Sequence, residues 1–561
     1  MKKIFTLIAA IATMMSSFAT NYTGTLTVSI NGEGSELPAT VSVTENGGKY
    51  TLSIMNFMLD EDMPVGNIVL SDLDGTTANG VTTIKTSQTV MFEAGDDPNV
   101  GADEWLGLML NDLGGAPTLM SAKFDSNNLY TSLFIDMSDV LGQMIDVTFA
   151  TADYPGYYQI PNSGFEEWHN EKYSSSKNGD EPNHWHSFLS HTGSSTLKGL
   201  AAAVKTYKES DARPGSKGSY SAKIKPTSVL GVIANGTMTT GRLYAGSMTA
   251  ADATGNYAFM KLSNTDTDKN GDPFYVELKA RPDSIVFWYK FTANNSNYPY
   301  ASASAILTDG NEVHDPNIGS YATHVVAHAS NTTIGATSNW TRLSIPFVYA
   351  PTLNIVNNKG SVTGTATGTA TEVKGIFVTI STNATPGQGN ASDLLYVDDM
   401  ELIYNPKTES ASVSSPKIIV AGKTIELQPN TYEYTISFDA QNAPQRIIRK
   451  AGGKTEVKPE DIEVVDGNGD EILSTARVID TDQGAAATVV VYSDDLKNNK
   501  TYTINMNGNV TGIASVVTEA EAVGTTYYNM LGVASKTPFA GVNVVVTEYS
   551  DGSRIASKVV K

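Results

Sequence analysis

The sequence predicts an all-β protein made of several domains. Three observations carry this reading. Segments of alternating apolar and polar residues recur along the chain with Gly, Asn, Asp and Ser between them, the pattern of half-buried strands joined by turns. Helical periodicity is almost nowhere sustained over the length of an ordinary helix. With 561 residues, 40% of them hydrophobic and 17% charged, the chain is too apolar for disorder and long enough for three or more cores.

Lys and Arg number 38 against 59 Asp and Glu, a formal charge of -21 spread along the chain. A dispersed negative field disfavours nucleic acid and anionic lipid as partners and leaves neutral ligands such as oligo- or polysaccharides open. There is no Cys, so stability must come from core size and from any metal sites.

Residues 1–19 carry Lys2 and Lys3, an apolar run from Ile4 to Met15 and the small-x-small end Ser17-Phe18-Ala19, which reads as a secretory signal peptide. No Cys follows the apolar run, so a lipoprotein anchor is not expected there, and no later window approaches the roughly 18 apolar residues of a membrane helix. The expected location is outside the cytoplasm, in a periplasm or at the outer cell surface, with outer-membrane or surface proteins as possible partners.

The first domain is expected over residues 22–153. It opens with the alternation Tyr22, Leu26, Val28, Ile30 and continues through strand patterns at 39–43, 50–54, 66–70, 81–84, 105–110, 118–124 and 145–150. Leu129 to Val140 leaves room for a short helix. Short antiparallel strands in this number close best as a meandering barrel, which removes exposed edges. Asp72-Leu-Asp74-Gly75-Thr76 follows the apolar Asn67–Leu70 and taken alone resembles the phosphatase signature of the haloacid dehalogenase family. The βαβ framework of that chemistry does not follow it, so a β-turn between barrel strands is expected instead.

The second domain, residues 156–406, holds four of the five Trp and all seven His. Strands at 220–224, 274–278, 286–291, 344–349 and 375–381 favour a large two-sheet sandwich, with the Gly/Thr-rich run 360–372 as a wide surface loop. The third domain, 411–510, has immunoglobulin size and strand spacing. A β tail, 525–561, should lie against it or stay mobile.

Candidate chemistry concentrates in the second domain. Asp266-Thr-Asp268-Lys-Asn270-Gly271, with Glu277 six places after the Gly, fits the twelve-position calcium loop; flanking strands argue for a polar hairpin loop as the alternative. His184 and His186 would share one side of a strand, with His169 and His191 near in sequence, but no compact carboxylate set completes a zinc site, and packed or surface histidines are the simpler expectation. Glu166 and Glu167 lie beside aromatic residues, and a glycosidase pair would need completion by an acid such as Asp309, Glu312 or Asp315. Trp185, Trp288 and Tyr289 are candidate stacking platforms for sugar rings and Asn311 a candidate partner for their hydroxyls; ordinary core packing is the alternative.

These residues also carry a resemblance. Asn162-Ser-Gly164-Phe165-Glu166-Glu167-Trp168, Pro182-Asn-His-Trp185, Ala212-Arg213-Pro-Gly215, Val286 to Phe291, Trp340 to Phe347 and Val397-Asp398-Asp399 resemble a carbohydrate-metabolism domain of Bacteroidetes surface and periplasmic proteins, a jelly-roll sandwich similar to carbohydrate-binding modules. The resemblance implies that the two ends of the domain pair, bringing Glu166 near Asp398 or Asp399 around a structural Ca²⁺. The first domain resembles the calycin-like β-barrel found ahead of such modules. The tail, with Tyr528-Asn529 and Gly541 to Val545, resembles the C-terminal sorting domains of exported Bacteroidetes proteins. Together these readings give a cell-envelope protein that binds glycans without turning them over; a glycan-active hydrolase or lyase and a structural or adhesive protein are the alternatives.

Overall fold

The computed structural model describes residues 19–560 except 31–32, 60–62, 79–80, 102–103, 113–114, 138–142, 152–157, 195, 358–360, 439–456, 458–460, 473, 482–483, 496, 509–521, 530–532 and 550–553. The signal-peptide segment 1–18 and the tail motif residues Gly532, Asp551 and Gly552 fall outside the described residues. The described chain is all-β with two short α-helices and one 3₁₀ turn, and it divides into two compact units.

Eight strands, Ala19–Ile30, Glu33–Asn46, Lys49–Met58, Pro64–Ala78, Val81–Val90, Ala116–Phe124, Leu129–Met137 and Gln143–Thr151, form a closed barrel in chain order. Every pair is antiparallel, and the first strand also pairs with the last from Gly24↔Thr151 to Ile30↔Ile145. Inward alternation places Tyr22, Leu26, Val28, Val41, Val43, Leu52 and Ile54 in one core. At the closing seam a side chain on Gly24 would put its Cβ 2.0 Å from the Ala150 carbonyl oxygen, so only glycine fits there.

Three sequence expectations change here. Residues 105–110, read as a strand, belong mostly to the helix Leu106–Asp112, which buries Gly107 and Leu110, three residues apart. The stretch left open for a helix is the strand Leu129–Met137. Asp72 does not turn the chain between strands. It sits inside Pro64–Ala78 with φ 56° where the register to the neighbouring strand skips, a β-bulge.

The second unit comprises Tyr154–Pro416 and Tyr492–Asn499. One sheet runs in the order Thr206–Glu209, Ser221–Ile224, Leu394–Ile403, Ser284–Thr292, Thr337–Pro346; a second contains Thr237–Thr239, Gly375–Ser381, Ala301–Thr308, Val325–Ile334 and Val348–Tyr349. Phe287, Tyr289, Phe291, Leu395 and Val397 of the first share a core with Ala303, Ala305, Leu307, Val378 and Ile380 of the second, so the two sheets form a sandwich. A smaller sheet adds Arg242–Ala245, Asn256–Met260 and Val313–Asp315. Part of the low-complexity run is not loop: Ser361–Thr367 pairs with Thr352–Asn357 as a hairpin.

The ends of this segment are bonded to each other. The Gln159 side chain exchanges two 2.8 Å hydrogen bonds with the Leu402 backbone, the Tyr404 hydroxyl donates to the Tyr158 carbonyl at 2.8 Å, and the Met400 N–H donates to the Ser163 carbonyl at 2.9 Å. The stretch after it is also tied down. The buried carboxylate of Asp283 accepts the N–H groups of Asn405 and Ala411, both at 2.7 Å. Residues 405–411 are therefore bonded to the second unit through Asp283. Residues 405–411 should resist limited digestion in the native chain, and Asp283→Ala, which removes two charge-assisted bonds of about 1.5–3 kcal/mol each, should open them to early cleavage. Cleavage there at equal rates in both proteins would refute this role for Asp283.

In the first unit, Lys417–Val420 lies between Lys423–Glu426 and Ile462–Val465 in one small sheet. A four-stranded sheet orders Glu433–Phe438, Asn499–Gly508, Gly484–Tyr492 and Ser474–Thr481, its first pair parallel. The tail forms its own antiparallel sheet from Ala522–Tyr528, Ala534–Ser535, Val542–Tyr549 and Arg554–Val560.

Candidate functional site

The outer face of the five-stranded sheet of the second unit carries a groove. From Phe287 onward Ser284–Thr292 alternates: Phe287, Tyr289 and Phe291 enter the core, while Trp288 and Lys290 face outward. Trp288 lies opposite Arg342 of the neighbouring strand, and Lys290 lies opposite Tyr396 on the other side. The groove, of about 440 Å³, is lined by Pro214, Trp288, Lys290, Ser338, Asn339 and Trp340. The Lys290 ammonium sits 4.8 Å from the Trp340 ring centre and 4.6 Å from that of Tyr396, and it also pairs with Asp211. The Trp340 indole N–H has no protein acceptor.

The loop 211–220 forms one wall of this groove, and the acidic residues singled out in the sequence hold that loop. Glu166 accepts the N–H of Ser219 on both carboxylate oxygens and that of Tyr220 on Oε1, all at 2.9 Å. Asp398, with no exposed surface, accepts the N–H of Arg213 at 2.7 Å and that of Asp399 at 2.8 Å. Asp399 forms an ion pair with Arg213, Oδ2 lying 2.5 Å from Nε, and accepts the Ser216 hydroxyl at 3.0 Å. Arg213 in turn covers the Trp288 ring at 5.0 Å. Burial, ahead of the neighbouring charges of Asp399 and Glu166, pushes the Asp398 carboxyl up to about 6. Glu166, Asp398 and Asp399 thus come to one end of the sandwich as the paired ends imply. The positive group among them is a guanidinium, and N–H donors point at the oxygens a Ca²⁺ would need, so this arrangement does not fit that ion.

The other candidates are dispersed. Trp185 is wholly buried, 5.2 Å from Phe165, with its indole N–H donating to Pro161, and presents no face to a ligand. Tyr289 is in the core at 8% exposure. Asn311 lies in the turn after Ala301–Thr308, its N–H bonded to Asp309. Asp309 and Glu312 are held by His324 and His314, at 2.9 and 2.7 Å. Asp315 is half-buried, and its desolvation raises the carboxyl to about 6. Of the sequence candidates for sugar contact, Trp288 is the one that lines the groove. Trp340 and Lys290 are the additions; both lie in segments that carry the resemblance, and for Lys290 the alternation from Phe287 to Phe291 gives its outward side.

The twelve-position loop does not close on a single centre. Asp266 pairs with Arg242 at 2.5 Å, while Asp268 Oδ1 accepts the N–H groups of Asn270 and Asp272 at 2.9 Å in a tight polar turn. Glu277 is exposed in the short strand Val276–Glu277. The remaining oxygen of Asp268 turns inward toward His169 and His186, 3.4 and 3.5 Å away. His184 is not on the same side as His186: it adopts φ 65° and lies 3.3 Å from Asp272.

The calycin-like beta-barrel domain family matches residues 18–152, in agreement with the closed barrel described above. No curated protein matches the chain. Among solved structures, a provisionally assigned glycoside hydrolase from Bacteroides thetaiotaomicron aligns at 14% identity and TM-score 0.28, over 49% of this chain and 86% of its own. Another from Bacteroides vulgatus aligns at 16% identity and TM-score 0.26, over 44% and 98%. A bifunctional GH43-CE protein from Bacteroides eggerthii aligns at 8% identity and TM-score 0.15, over 72% and 53%. Likenesses this low carry no inference about this chain. No helix among the described residues is long and apolar enough to cross a membrane.

Proposed function

We propose that the second unit binds oligo- or polysaccharides in the groove over Trp288 and Trp340 and does so without catalysis. The observation that supports this is the pairing of two indoles with Lys290, Asn339 and Ser338 in one open groove on a rigid sheet. Sugar rings present apolar C–H faces that stack on indoles and hydroxyls that need amide, hydroxyl and ammonium partners, and this groove offers both. The six lining residues include no carboxylate, whereas glycoside hydrolysis uses a pair flanking the scissile bond. The loop held by Glu166, Asp398 and Asp399 fixes Pro214 and Arg213 as the wall, so the groove exists before ligand arrives.

Glycan-array binding and calorimetry on the full chain test this. Trp288→Ala and Trp340→Ala should each weaken binding by about tenfold or more, the loss expected for a central aromatic anchor, with unchanged melting temperature. Reducing ends should not be released from the bound glycan. Release of reducing ends, or wild-type affinity in both variants, would overturn the reading.

A further inference from the structure

Behind the turn at 268–272 lies a cluster of metal-competent side chains that the groove does not use. His169 and Glu171 are two apart in the strand Trp168–Ser174 and share its inner side. His169 Nε2 is 3.5 Å from Glu171 Oε2 and 3.4 Å from Asp268 Oδ2, and all three ligand atoms lie within 4.8 Å of one another. The side chains of His169, Glu171 and Asp268 are 8%, 4% and 0% exposed. His186, also fully buried, places Nδ1 3.5 Å from the same Asp268 oxygen.

Hydrogen bonding fixes which ring nitrogens carry protons. His186 Nε2 lies 3.2 Å from the Pro273 carbonyl, which can only accept, so Nε2 carries the hydrogen and Nδ1 of the neutral ring offers a lone pair. His169 Nδ1 lies 3.1 Å from Asn183 Oδ1, and Asn183 in turn donates its amide to Glu167, so Nδ1 carries a hydrogen and Nε2 of the neutral ring offers the inward lone pair. An acceptor behind each ring is the arrangement that orients a metal-ligating imidazole. His169 Nε2, His186 Nδ1 and Asp268 Oδ2 are all buried without a hydrogen-bond partner. With both rings neutral, three lone-pair atoms face one another in a buried pocket, and a cation between them satisfies all three.

We infer that His169 Nε2, Glu171 Oε2 and Asp268 Oδ2 bind a divalent transition-metal ion of the zinc class, with His186 Nδ1 facing it across the Asp268 oxygen. Bonds of about 2.0–2.1 Å at the tetrahedral angle separate neighbouring ligand atoms by about 3.3–3.4 Å, close to the two His169 separations. Imidazole favours zinc over calcium or magnesium, and two carboxylates with neutral histidine balance a double positive charge. Three protein ligands leave the fourth position of a tetrahedral ion to water, and the ion fastens the hairpin 168–182 to the turn at 268–272. Of the calcium-loop residues only Asp268 belongs to this site, and of the histidines near in sequence only His169 is a ligand.

The test uses the full chain, stripped by dialysis against a chelator and titrated with Zn²⁺, Co²⁺ or Ca²⁺ alone. One equivalent of Zn²⁺ should bind and raise the melting temperature, Ca²⁺ should do neither, and Co²⁺ should give the intense visible absorption of a four-coordinate centre in the wild-type protein. Asp268→Asn and His169→Gln should abolish Zn²⁺ binding, whereas Glu166→Gln and Asp266→Asn should keep it. Asn183→Ala, which removes only the acceptor behind His169, should weaken it about 10–100-fold. Absence of Zn²⁺ uptake by the wild type would mean that His169 fills the pocket with a proton and would overturn the assignment. So would Ca²⁺ uptake that both Asp266→Asn and Asp268→Asn abolish, or a Co²⁺ spectrum without four-coordinate bands.

Discussion

Trp185→Ala should cost the second unit about 3–5 kcal/mol of stability, the range for deleting a large aromatic side chain from a packed core. Trp185 has no exposed surface, packs on Phe165 and anchors its N–H on the Pro161 carbonyl. Its removal leaves a cavity beside the segment that carries Glu166, the carboxylate that holds the groove loop. Chemical denaturation of the full chain, followed by the unit's tryptophan fluorescence, reads the effect as a lower midpoint at unchanged slope. If the variant kept the wild-type midpoint and lost glycan affinity, Trp185 would be a binding platform and the buried placement would be wrong.

The second large effect is a pH dependence centred on Lys205. Its side chain is fully buried, with Nζ donating to the carbonyls of Ala234 at 2.8 Å and Asn235 at 2.6 Å and lying 4.0 Å above the Phe188 ring. Burial lowers its ammonium to about 7. In the unfolded chain a lysine titrates near 10.4, so between about pH 7 and pH 10 the unfolded state binds more protons than the native one. Stability should therefore rise with pH across that window, by about 1.4 kcal/mol per unit from this group, and the contribution should be flat below it. Lys205→Met removes the titrating group. The difference in unfolding free energy between wild type and variant should change with pH over this range, and a pH-independent difference would show that Lys205 titrates normally.

The barrel was legible because its strands are half-buried: alternation at Tyr22, Leu26 and Val28 reports the pleat directly. The run 105–110 was not, since Trp105-Leu-Gly-Leu-Met-Leu is apolar at nearly every position and cannot distinguish period 2 from the three-residue spacing that buries Gly107 and Leu110. In the second unit, the resemblance brought Glu166 and Asp398–Asp399 to one end, but it did not show that Arg213, from a loop between them in sequence, pairs with Asp399. The histidine pair failed for a local reason. His184 has a positive φ, so the alternation that would put it beside His186 breaks at that residue. His186 then meets Asp268, 82 positions later, and such a contact leaves no periodic trace in a single sequence.

The bonded seam between residues 158–163 and 400–404 has a mechanical consequence. The contacts run in opposite chain directions, Tyr158 with Tyr404, Gln159 with Leu402 and Ser163 with Met400, so the two segments lie antiparallel. A pulling force applied through the chain would meet these bonds one after another, as in a zipper, instead of shearing them together. The seam would peel open before Leu394–Ile403, the central strand that carries its second half, is pulled from its sheet. The carboxylate of Asp283, holding Asn405 and Ala411 just beyond the seam, would take that load first.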